Sequence, residues 1–111
     1  MHIALEINDR RAEGSALSDL GSALIQLKKP KESLKNLNRA LTIFREIKAL
    51  AKEAESLKNL AELHQSLGEY EVAKHYYQQA LELATKLGIP LATECEVLLQ
   101  NLRMRTNIEN L

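Results

Sequence analysis

The sequence has a single cysteine, Cys95, and no tryptophan. One thiol cannot close a disulfide within the chain, so no disulfide framework holds this fold, and a reducing compartment suits it. Valine is scarce, and no stretch alternates apolar and polar residues over a β-branched run as a half-buried strand would. There is no surplus of either charge: Lys+Arg is 15 and Asp+Glu is 15, which sum to zero. A phosphate-binding surface needs a basic excess, and the one basic cluster is Lys28-Lys29-Pro30-Lys31. Nucleic acid is therefore excluded as the expected partner. No apolar run approaches the roughly 18 residues of a membrane span. The start, Met1-His2-Ile3-Ala4-Leu5-Glu6, lacks a charged segment followed by an apolar one, as a secretory leader would have. A cytoplasmic location is expected.

What is present is helical periodicity. Leu17, Leu20, Leu24 and Leu27 advance by three and four, as do Leu34, Leu37, Leu41 and Phe44. Leu57, Leu60, His64 and Leu67 repeat the pattern, followed by Ala73, Tyr77, Ala80 and Ala84. Pro30 suits the first turn of a helix, Gly68 a helix C-terminal cap, and Gly88-Ile89-Pro90 a stop and restart. Helices are predicted at about 9–27, 31–48, 51–67, 70–87 and 91–106. The short connections between them make neighbours antiparallel. The fold class is all-α.

Two of these stretches coincide when one is slid 40 residues along the other. Leu17, Leu20, Gly21, Leu27, Ser33, Leu37, Ala40 and Leu41 fall opposite Leu57, Leu60, Ala61, Leu67, Ala73, Tyr77, Ala80 and Leu81. A further phase is visible at the start, where Ile3, Glu6, Ile7 and Glu13 recur as Ile43, Glu46, Ile47 and Glu53. A fixed period in this range marks a solenoid, which works through a long surface instead of one catalytic pocket. The expected division of the single domain is 1–13 as the end of a preceding repeat, 14–53 and 54–93 as full repeats, and 94–111 as a capping helix and tail. Small residues at Gly21/Ala61, Ser33/Ala73 and Ala40/Ala80 would let paired helices approach closely. Large ones at Leu17/Leu57, Leu24/His64 and Leu37/Tyr77 would fill the gaps beside them.

Leu57, Leu60-Ala61, His64, Gly68-Glu69-Tyr70, Ala73, Tyr77 and Ala80-Leu81 follow a pattern that resembles the tetratricopeptide repeat. His64 departs from it, standing where a tyrosine or other bulky residue is usual. The first unit matches more loosely and has Lys28-Lys29-Pro30 in place of the Gly-x-Tyr turn. The usual repeat is about 34 residues, and the longer period here is similar to long bacterial arrays and to Leu-Gly-Asn type repeats. The resemblance implies a solenoid of antiparallel helix pairs and a role in protein–protein interaction. It also implies that the first helix of each pair lines a concave groove.

In that register the groove carries Ser15, Ser18, Asp19, Ser22 and Gln26, then Glu55, Lys58, Asn59, Glu62 and Ser66. These polar side chains of mixed sign would bind a peptide or helix of another protein, as an adaptor or regulatory scaffold. The relatives that clamp a chaperone's C-terminal carboxylate use Lys and Asn where this chain has Ser18 and Ser22, so that clamp is not expected. In the last helix the same positions are Cys95, Leu98, Leu99 and Leu102, all apolar, while the positions expected in the core are Val97, Gln100, Asn101 and Met104. Either the register slips after Pro90 and the helix is a cap, or the leucines form an association surface for a homodimer through the end helices.

No catalytic arrangement is visible. His64 falls at a core position and His75 on an outer helix face, and neither has a metal-binding or catalytic spacing to Cys95. Cys95 has no basic neighbour in sequence to activate it. No enzyme activity, metal or cofactor is expected.

Overall fold

Four residues in left-handed backbone conformation separate five helices, and they stand 20 residues apart: Lys28 (φ 60°), Lys48 (φ 56°), Gly68 (φ 76°) and Gly88 (φ 65°). The computed structural model describes residues 2–109, with side chains over 5–108. The helices are α1 (His2–Gln26), α2 (Pro30–Glu46), α3 (Leu50–Ser66), α4 (Tyr70–Leu87) and α5 (Leu91–Glu109). Each turn closes in the same way. The amide after the left-handed residue reaches back five residues: Lys29 to Leu24, Ala49 to Phe44, Glu69 to His64 and Ile89 to Ala84. These bonds satisfy carbonyls that a helix end leaves orphaned. Pro30 then occupies the start of α2, where its missing N–H costs nothing. Lys28 and Lys48 do at two turns what glycine does at the others.

The first helix differs from expectation. It starts at His2, not near residue 9, and takes in the segment read as the end of a preceding unit without a turn. Nothing in Asn8–Glu13 breaks a helix, and Gly14 alone is not enough to stop one. The side chain of Ile3 and the tail at 110–111 lie outside the described residues.

Successive helices pack in sequence, and α3 also touches both α1 and α5, whereas α2 and α4 do not meet. The odd helices therefore form an inner face and the even ones an outer face, in a slab of 59 × 32 × 16 Å. The small residues act as the pattern requires. Ala40, Ala61, Ala73 and Ala80 are fully buried, with Leu37, Tyr77 and Leu60 beside them. A Cβ on Gly21 would lie 2.6 Å from the Leu37 side chain, and one on Gly14 would lie 2.8 Å from the Phe44 ring. Glycine is what allows α1 and α2 to meet. Ser33 uses the same closeness, donating from its buried hydroxyl to the Gly21 carbonyl at 2.7 Å.

Part of the expected apolar stripe is not core. Leu24 is buried, but Leu20, Leu27, Leu34 and Leu67 are exposed. Leu27 and Leu67 end at turns, where no neighbouring helix continues. Leu20 lies on the side of α1 away from α2. His64 is only half-buried: it stacks on the Tyr76 ring at 5.4 Å, and its Nδ1 lies 2.8 Å from a Glu69 carboxylate oxygen.

The last helix settles the question of register. Cys95, Leu99 and Leu102 are buried, at 0, 2 and 1% exposure, and Leu98 is half-buried. Val97 and Met104 are exposed. Relative to α3, the helix has turned by about one residue, or roughly 100°. The expected association surface at Cys95, Leu98, Leu99 and Leu102 is therefore the contact of α5 with the rest of the chain. Its leucines meet Ala61, Ala73 and Tyr77, and burying them against α4 outweighs keeping the 40-residue phase.

Candidate partner-binding face

The serines of α1 sit one helical turn apart on the side that faces α3, and α3 answers with Lys58 and Asn59. Asn59 Nδ2 donates to Ser18 Oγ at 3.0 Å, which ties the inner helices of successive pairs together. Lys58 Nζ reaches Glu94 of α5 at 2.7 Å and Glu62 of its own helix at 3.6 Å. One polar chain thus runs from α1 through α3 to α5. Burial by itself would lower the Lys58 pKa. The hydrogen bond to Glu94 and the charges of Glu62 and Glu94 outweigh it, so the ammonium stays charged and its pKa is raised.

These residues line a cleft of about 380 Å³ formed by Ser15, Ser18, Asp19, Ser22, Lys52, Glu55, Lys58, Asn59 and Glu94, with Phe44 and Leu91 at its floor and edge. Seven of the expected groove residues are brought together here. The other three are elsewhere on the face: Gln26, Glu62 and Ser66 border a second hollow with Gln65, Tyr70, Tyr77, Leu98 and Arg105. There the buried Tyr77 ring sends its hydroxyl to Gln65 Oε1 at 2.9 Å, and Arg105 lies over the Tyr70 ring at 5.5 Å. The expected groove residues are therefore divided between two hollows, and Asn59 and Lys58 in the first carry the bonds to α1 and α5.

Sequence reasoning missed Glu94, Lys52 and Arg105. Glu94 and Arg105 became visible only with the rotation of α5. Lys52 carried a signal, since it stands three residues before Glu55 and pairs with it at 3.4 Å. Asp19 is exposed, and among the described residues it has no ion-pair partner.

Cys95 is fully buried, and its pKa is pushed up to about 11, first by burial and then by Glu94 and Glu62, against a lowering by Lys58. A thiol held protonated in this way is a packing group. Among the described residues no three His, Cys, Asp or Glu side chains converge as metal ligands. No described helix is long and apolar enough to cross a membrane.

The family profile described as Tetratricopeptide repeat matches residues 12–86. No curated protein matches the chain.

Proposed function

The chain belongs to the tetratricopeptide repeat family, and we propose that it acts as an adaptor or scaffold that holds a peptide or helix of another protein along its inner face. Tetratricopeptide repeats mediate protein–protein interaction and are a non-catalytic fold, which supports this reading over an enzymatic one. Residues 14–53 and 54–93 are taken as the two repeat units, with the following helix as a cap.

The observation that carries the reading is the pre-organised cleft. Ser18–Asn59 and Lys58–Glu94 hold its walls by hydrogen bonds between helices, so little order has to be gained on binding. Of its acids, Glu55 and Glu94 are paired with lysines while Asp19 is not. The fitting partner therefore presents a lysine or arginine opposite Asp19, with polar groups for Ser15 and Ser22. A cytoplasmic location belongs to the same reading, supported by the lone free thiol.

The test is recovery of the partner from native lysate, identified by mass spectrometry. Asn59→Ala with Lys58→Glu, and separately Asp19→Lys, should lose that partner while the helical circular dichroism signal persists. Unchanged recovery with both variants would refute the groove assignment.

A further inference from the structure

We propose that the outer side of α1 is a self-association surface, on which α1 of a second copy of this chain packs antiparallel about Ala16. On α3, Ser56, Leu60 and Leu63 are 0, 0 and 1% exposed, and the two leucines pack with Leu37 and Leu41 of α2. The residues 40 earlier are Ala16, Leu20 and Ala23, and all three are exposed, Leu20 by 50%. Among the described residues no helix lies over them. Leu5 and Leu27, 60 and 65% exposed, extend the strip to both ends of the helix, with Ala12 between. Positions 5, 9, 12, 16, 20, 23 and 27 all fall on one side of a helix, and all but Asp9 are apolar; in the antiparallel pair Asp9 stands opposite Ala23. The cleft is lined by other residues of α1, Ser15, Ser18, Asp19 and Ser22.

The strip is complementary to itself. In an antiparallel pair centred on Ala16, Leu5 stands opposite Leu27 of the other copy, Ala12 opposite Leu20, and Ala16 opposite Ala16. Alanines at the crossing let the backbones approach, and the leucines fill the space on either side. The charges agree with this arrangement. Glu6 and Asp9 lie near the start of the helix and Lys28 and Lys29 just past its end. All four are exposed, and none has an ion-pair partner among the described residues. Antiparallel packing puts each lysine pair within about one helical turn of the other copy's Glu6, twice by symmetry. The 25 residues of α1 make a contact about 37 Å long. A single helix pair of that length lies at the small end of specific interfaces, which predicts a reversible dimer in the micromolar range.

The competing apolar strip, Val97, Met104 and Ile108 on α5, is shorter, and Asn101 interrupts it as Asp9 interrupts the strip on α1. The proposal stands apart from the groove reading, since variants on one face leave the other intact.

Sedimentation equilibrium on the 111-residue chain, from about 5 to 200 µM, should show a monomer–dimer equilibrium. Leu20→Glu should weaken the dimer at least about tenfold with an unchanged circular dichroism spectrum, because the site is exposed in the monomer. Under mild oxidation Ala16→Cys should form a disulfide-linked dimer, whereas Val97→Cys should not. A strict monomer over the whole range overturns the proposal, as would be seen if another segment or protein covers α1. So does a dimer that cross-links through Val97→Cys and ignores Leu20→Glu. A mass that keeps growing with concentration also overturns it, since that marks head-to-tail stacking.

Discussion

The hydroxyl of Ser33 donates to the carbonyl oxygen of Gly21 at 2.7 Å, across a contact with no room for a Cβ on that glycine. In the second pair Ala61 and Ala73 occupy the same two places, without a hydrogen bond. The two pairs reach the same close approach by different means: glycine with a hydroxyl tether in one, two methyl groups in the other.

Gly21→Ala is expected to lower stability although alanine is the better helix former. The propensity gain is about 1 kcal/mol. Against it stands overpacking of the fully buried Leu37, which costs roughly 1–3 kcal/mol. A net loss of about 1 kcal/mol should appear in urea unfolding. Ala80→Leu overpacks in the same way without any propensity penalty to remove, and it should lose more. An unchanged midpoint for either variant would contradict the packing described.

Lys48→Gly is expected to raise stability by about 0.5–1 kcal/mol. The lysine holds a left-handed conformation that costs an L-residue about 1–2 kcal/mol, and glycine adopts it without that penalty. Gly68→Ala should move the other way by about 1 kcal/mol, for the backbone reason alone, since a Cβ there meets nothing within 4 Å. Thermal melts of both single variants check the pair of signs.

Alkaline pH is expected to weaken the fold through Cys95. Burial in the fold pushes the thiol from its ordinary 9.0 up to about 11. Below pH 9 both states keep the proton, and its contribution is intact. From pH 9 to 11 the unfolded chain loses the proton first, so stability falls by up to about 1.4 kcal/mol per pH unit for this group. The Tyr77 phenol, its pKa also raised chiefly by burial, adds to the loss above pH 10. Urea midpoints measured across this range should fall less steeply for Cys95→Ala than for the unaltered chain. Over the same range a thiol reagent should label Cys95 only at the rate of unfolding.

Much of this was legible in the sequence because it depends on local rules. Gly68 and Gly88 announced their turns, since glycine is the residue that takes positive φ without penalty, and Pro30 announced a helix start. Lys28 and Lys48 announced nothing, because a lysine in left-handed conformation looks like any other surface lysine. The family resemblance, with the 40-residue register, put ten polar residues of α1 and α3 on one face, and seven of them line one cleft because both helices keep that register. Glu94 was missed because it joins that cleft only through the turn of α5.

The sequence by itself determined the number and type of the elements, the 40-residue period, the small positions at which helices meet, and the absence of a basic surplus. These follow from side-chain size, charge and helical spacing, which are properties of each segment. Only the tertiary structure decided which leucines are core. Leu20 and Leu60 hold the same position in their repeats, yet one is 50% exposed and the other fully buried, because α2 covers that side of α3 and no described helix covers that side of α1. Leu99 and Leu102 went inside because α5 could rotate to bury them against α4. Burial is a property of neighbours, and a repeat pattern does not say which neighbours the first and last units have.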